Sequence, residues 1–111
     1  MYLLVRAKRY GGRIPCIVQG HVSAIARQLA GFARSNASGR ISDSILDIYA
    51  KEYEEILRRD AENPATKELV LEAHADPFKV GINAGSSLKV GVPVVVLDVL
   101  DGPVEFECRD I

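Results

Sequence analysis

Tryptophan is absent from this 111-residue chain, which also holds only two cysteines, two histidines and one methionine. These scarcities bound the chemistry. The cysteines and histidines fall at positions 16, 21, 74 and 108, and only Cys16 and His21 are close in sequence. Structural zinc sites bring their ligands in close pairs such as Cys-x₂₋₄-Cys, so no metal is expected. No apolar run approaches the roughly 20 residues of a membrane span, and the apolar opening Tyr2 to Val5 meets Arg6 too soon to form a signal-peptide core. The expectation is an intracellular, cytoplasmic protein with no membrane partner, in which both thiols stay free and the sequon Asn36-Ala37-Ser38 carries no sugar.

The largest absence is of charge of one sign. Residues 1–42 contain no Asp or Glu, yet they carry Arg6, Lys8, Arg9, Arg13, Arg27, Arg34 and Arg40. All fifteen acids follow Ser42, so a formal net charge of −1 conceals parts of about +7 and −8. From Asp43 to Asp76 ten acids face four bases. A folded chain built this way presents faces of opposite sign. Such faces suit self-association or docking to a charged protein partner, with electrostatically steered encounter.

What is present is ordinary globular material. A hydrophobic content of 48% and a charged content of 26% argue against disorder, and the length suits a single domain over residues 1–111 with one core. Neither an internal repeat nor a low-complexity tract interrupts it.

Tyr2 to Arg9 alternates with the period of a strand, Gly11-Gly12 supplies a turn, and Ile14 to Val18 extends again. A two-residue turn places Val5 opposite Val18 and Ala7 opposite Cys16. From His21 the apolar spacing becomes helical. Val22, Ile25, Ala26, Leu29, Phe32 and Ala33 form one stripe, with Arg27 and Arg34 on another face, and the turn-forming Asn36 to Gly39 ends the helix near Ser35. Ser42 and Asp43 cap a second helix that runs to about Glu62, ended by Asn63-Pro64. Its stripe is Ile45/Leu46, Tyr49, Tyr53 and Ile56/Leu57. Asp47, Lys51, Glu54, Glu55, Arg58 and Arg59 supply pairs of opposite charge at i,i+4.

Thr66 to Ala75 fits both a strand and a helix, with a slight lean to helix. Phe78 to Ile82 reads as a short strand and Asn83 to Ser87 as a loop. Val94 to Leu100 is a β-branched run, and Val104 to Cys108 alternates after Asp101-Gly102-Pro103. Read as a hairpin with a four-residue loop, these runs pair Val99 with Val104, Leu97 with Phe106 and Val95 with Cys108. The same register sets Asp98 opposite Glu105, a repulsion of roughly 0.2–1 kcal/mol unless Arg6 and Lys8 lie between them.

The chemical motifs are thin. A Cys nucleophile with a His base needs an accessible thiolate, whereas the expected pairing turns Cys16 and Cys108 into the core. Gly81 to Ser87 has the composition of a phosphate loop but lacks the lysine directly before its Ser, and a strand follows it. Glu54 with Glu55, or Asp98 with Glu105, are more cheaply read as solvated charges than as acid/base pairs. No catalytic residue, cofactor, metal or small-molecule ligand is indicated.

The order strand, helix, short Gly-containing turn, helix over Ile14 to Leu57 looks like the ribbon-helix-helix arrangement of small dimeric DNA-binding proteins. Those proteins read the major groove with a strand of outward polar side chains. Here that strand, Ile14-Pro15-Cys16-Ile17-Val18, is apolar and contains a proline, which departs from the pattern.

The fold expected is α+β in two layers: an antiparallel sheet of two β-hairpins with two or three helices on one face, near 21–35 and 43–62. The function expected is a non-enzymatic binding module, a regulator or inhibitor that works through protein contact and self-association. Its candidate binding residues are Arg6, Lys8, Arg9, Arg13, Arg27 and Arg34. The alternative is nucleic-acid binding through the basic first hairpin, with Tyr2 and Tyr10 as stacking rings.

Overall fold

The computed structural model describes residues 1–9, 12–36, 41–62, 69–74 and 89–111. Strands β1 (Tyr2–Arg9) and β2 (Ile14–His21) lead into helices α1 (Val22–Asn36) and α2 (Asp43–Glu62), and β3 (Leu69–His74), β4 (Lys89–Leu100) and β5 (Glu107–Asp110) follow. The five strands make one antiparallel sheet in the order β3-β4-β1-β2-β5. The first strand in sequence is therefore the central one.

The β1–β2 register is the expected one, with Val5 opposite Val18 and Ala7 opposite Cys16. Gly12 at φ +86° takes up the turn, and Arg13 N–H donates to the Arg9 carbonyl at 3.1 Å. Leu3, Val5 and Ala7 of β1, Cys16 and Val18 of β2 and Val92, Val94 and Val96 of β4 are buried on one face. On that face lies α1, whose Val22, Ile25, Ala26, Leu29, Phe32 and Ala33 are the expected stripe. At about 25 cal/mol per Å² of apolar surface removed from water, this shared core is the main source of stability.

Helix α2 buries Leu46, Tyr53, Leu57 and Ala61, and rests chiefly on α1. Its cap is the expected one, since Ser42 Oγ accepts from Ile45 N–H at 3.4 Å and Ser42 O from Leu46 N–H at 2.9 Å. Of the anticipated i,i+4 pairs, Glu54 with Arg58 and Glu55 with Arg59 form. Asp47 turns to α1 instead.

Three expectations fail. Leu69–His74 is a strand, not part of a helix. Residues 69 and 71 lie opposite 94 and 92 of β4 in the register, and that tertiary pairing decides a segment whose local preference was balanced. His21 closes β2 rather than opening a helix, so α1 begins and ends one residue later than expected.

The third failure is the last hairpin. Strand β5 does not fold back on β4, because both edges of β4 are taken, one by β1 and the other by β3. Residues 101–106 instead carry the chain past the ends of β1 and β2, so that Cys108 lies opposite Val18 and Cys16 opposite Asp110. Strand spacings of about 4.8 Å put the two edges about 14 Å apart, within the roughly 20 Å that six extended residues span. The opposition of Asp98 and Glu105 accordingly does not exist. Asp98 sits across from Leu4, beside a bulge in β4. Nor is Cys108 a core residue: it faces the helix side but is exposed on an edge strand.

The expected elements at Asn63-Pro64, Asp76-Pro77, Phe78 to Ile82 and Gly81 to Ser87 lie outside the described residues, as do Tyr10, Gly11, Arg40 and the greater part of Asn36 to Gly39.

Candidate protein-contact face

With α1 and α2 both on one side of the sheet, the opposite side carries no helix among the described residues. Successive side chains of a strand alternate between faces, so the register fixes the members of the open face. Strand β1 contributes Tyr2, Leu4, Arg6 and Lys8, β2 contributes Pro15, Ile17, Gln19 and His21, and β5 contributes Glu107 and Arg109. From β4 come Val95 and, beyond the bulge, Asp98 and Leu100. Leu4, Ile17 and Val95 are half-buried on this face.

The charges on this face fall in rows. Across the strands, one row reads Asp98, Leu4, Gln19 and Glu107. Two residues further along each of β1, β2 and β5 lies the next, Val95, Arg6, Ile17 and Arg109. The first row holds two carboxylates and the second two guanidinium groups, about 7 Å apart by strand geometry. Asp98, Glu107 and Arg109 lie on the strands flanking β1 and β2, whereas Arg6 stands on the central strand beside Ile17.

At one end of the face Tyr2 and His21 meet edge to face, with ring centroids 5.2 Å apart. His21 has a structural task as well. Its Nδ1 accepts from Ser23 N–H at 3.2 Å and lies 2.8 Å from Ser23 Oγ, so the imidazole caps the first turn of α1. This assignment gives the ring an Nδ1 acceptor and leaves its Nε2 as the N–H.

The structure divides the six candidate cations between the two sides. Arg6 and Lys8 project from the open face, with Arg6 exposed, and Arg13 is exposed in the turn beyond. Arg9 lies on the helix side and pairs with Asp110 at 2.5 Å. Arg27 pairs with Asp47 at 2.5 Å and Arg34 with Asp43 at 2.7 Å, two contacts that tie α1 to α2. Both bridges are substantially exposed, so each contributes at most about 1 kcal/mol. The acid-free opening is thus answered in part by acids of α2 and β5. Sequence reasoning missed Glu107 and Arg109, whose place follows only once β5 is known to pair with β2. The clue available was their i,i+2 spacing, which puts them on one face of any strand.

Among the described residues, no group of three or more His, Cys, Asp or Glu side chains is arranged to hold a metal ion. No described helix is long and apolar enough to cross a membrane. No family model matches the chain, and neither a curated protein nor a solved structure matches it. What the fold defines is a small α+β domain, a five-stranded antiparallel sheet with two helices on one face and, among the described residues, no helix on the other.

Proposed function

We propose that this chain is a non-enzymatic protein-binding module and that it pairs with a second copy of itself through the open face of the sheet. The observation that carries the reading is the adjacency of an acidic row (Asp98, Glu107) and a basic row (Arg6, Arg109) around the half-buried Leu4, Ile17 and Val95. A two-fold axis running across the strands between these rows lays each row over the opposite row of the other copy. Glu107 of each copy then opposes Arg109 of the other, while Leu4 and Ile17 are covered. Isologous contact of this kind closes at two subunits and stops there. Sheets stacked about 10 Å apart bury their facing side chains as a core does.

Light scattering tests it. The expected mass is about twice the monomer's 12.1 kDa, and Ile17→Asp returns it to the monomer's. Glu107→Arg, which sets arginine against Arg109, is expected to weaken association about tenfold or more, because like charges across an interface repel. Adding Arg109→Glu restores complementarity and with it the dimer. A wild-type mass of 12.1 kDa at all concentrations, or a mass indifferent to the charge reversals, rejects the proposal.

One observation favours a second reading, that the same face contacts nucleic acid: Arg6, Lys8 and Arg109 share it with the Tyr2 and His21 rings. In that case affinity for single-stranded DNA or RNA falls steeply with salt and is largely lost in an Arg6→Ala/Lys8→Ala variant. No mobility shift at low salt ends this reading.

A further inference from the structure

The open face leaves one cluster unused on the helix side, where β2 meets β5. Cys16 and Asp110 are opposite one another, as are Val18 and Cys108, so the two cysteines are diagonal neighbours on the same face of adjacent strands. The two thiols are close enough for each to act on the other's ionisation. Cys16 is fully buried and Cys108 is exposed, so one sulfur is open to a reagent while the other is reached only through it.

We infer that Cys16 and Cys108 form a reversible intramolecular disulfide, with small-molecule disulfides as the oxidant, and that this bond fastens β5 to the sheet. The Cys108 thiolate attacks one sulfur of the reagent, forming a mixed disulfide and expelling one thiolate. Cys16 gives up its proton to solvent and attacks the Cys108 sulfur, forming the internal S–S bond and expelling the second thiolate. Two protein thiols are oxidised and one reagent disulfide is reduced to two thiols.

Geometry permits the bond at the expense of a small movement. A disulfide needs Cα atoms within about 6.8 Å, whereas diagonal neighbours across antiparallel strands are about 7–8 Å apart. Closing it therefore draws Cys108 toward Cys16 by about 1 Å or more, chiefly by a slip of β5 along β2. β5 can make that shift, because its four residues are all exposed and, among the described strands, β2 is its one neighbour. Burial raises both thiols above their usual range, Cys16 to about 11, with Asp110 adding to the rise and Arg9 opposing it. Exchange is accordingly slow at neutral pH and quickens in alkali.

The consequence falls on the sheet edge. In the reduced state β5 is held by its short ladder to β2 and by the Arg9–Asp110 ion pair. In the oxidised state residues 16 and 108 are joined, and the edge of β2 stays covered. The two thiols lie on the helix side, away from the face proposed for the second copy, so this inference stands whether or not that proposal does.

The test incubates the full chain with oxidised glutathione at about pH 9.5, above the ordinary thiol pKa of about 8.5 because both thiols are raised, and follows intact mass and native alkylation. The expected product has lost two hydrogens, carries no glutathione, and offers neither thiol to iodoacetamide until dithiothreitol is added. Cys16→Ala, which keeps an apolar core residue, is expected to hold glutathione on Cys108, and Cys108→Ser to remain unmodified. Backbone amides of β5 exchange more slowly in the oxidised chain. Four results overturn the inference: a wild-type mixed disulfide that persists with Cys16 still alkylatable, a disulfide-linked dimer, no reaction at all, or unchanged β5 exchange after oxidation.

Discussion

Leu29→Ala is expected to lower the unfolding free energy by about 2–5 kcal/mol, read as a fall in the urea midpoint with little change in slope. Leu29 is fully buried in the core that α1 shares with the sheet. Truncation removes apolar neighbours and leaves a cavity that a close-packed surrounding only partly refills. A domain of this size has about 5–15 kcal/mol to lose, so the variant is expected to sit near the edge of stability. Ile48→Ala provides the contrast. Ile48 is 63% exposed on α2, and its truncation is expected to fall within about 0.5 kcal/mol of wild type. Equal losses for the two would mean that α1 is not the buried layer.

Gly20→Ala is expected to carry the second-largest penalty, from two separable causes. Gly20 holds φ at +143°, a region that residues with a Cβ enter only at about 1–3 kcal/mol. A Cβ there would also come within 3.2 Å of Phe106, meeting both its backbone and its ring. Because the crossing segment lies this close to β2, the glycine is needed for space as well as for its dihedral. Combining Gly20→Ala with Phe106→Ala separates the two. The double variant is expected to recover part of the loss, as the ring is gone while the unfavourable angle and the crowding against the Phe106 backbone remain. Full recovery would assign the whole cost to the ring, and a wild-type melting curve for Gly20→Ala alone would show that the angle carries no strain.

Local pattern disclosed much of this fold where the determinant was itself local. The β1–β2 register follows from alternation on either side of a glycine turn, and α2 from Ser42 at its cap and an apolar stripe with charge on its back. Partner choice was not legible in the same way. Alternation in Val104 to Cys108 identifies two faces of a strand but not which edge it joins, and two matching apolar rows made β4 look like its neighbour. Leu69 to His74 failed for a related reason, since its pairing with β4 lies about twenty residues away in sequence. The cations show both sides of this. Arg27 and Arg34 are seven apart on α1, and Asp47 and Asp43 four apart on α2, so their pairing becomes evident only when the helices are known to run antiparallel. Arg6 and Lys8 could be placed on one strand face from sequence, but not beside Arg109 or Glu107.

Strand order also sets a timetable for synthesis. β1 is made first yet lies in the middle of the sheet, and its second edge waits for β4 to emerge. Roughly eighty residues separate the end of β2 from the end of β4, which at about 5–20 residues per second is a delay of roughly 4–16 s. A lone hairpin is marginal in water, so β1 and β2 spend that interval without the strand that completes the sheet around Leu3, Val5 and Ala7. Ribosome-bound chains halted before Val94 are therefore the species that a chaperone, or a neighbouring nascent chain, would meet as sticky.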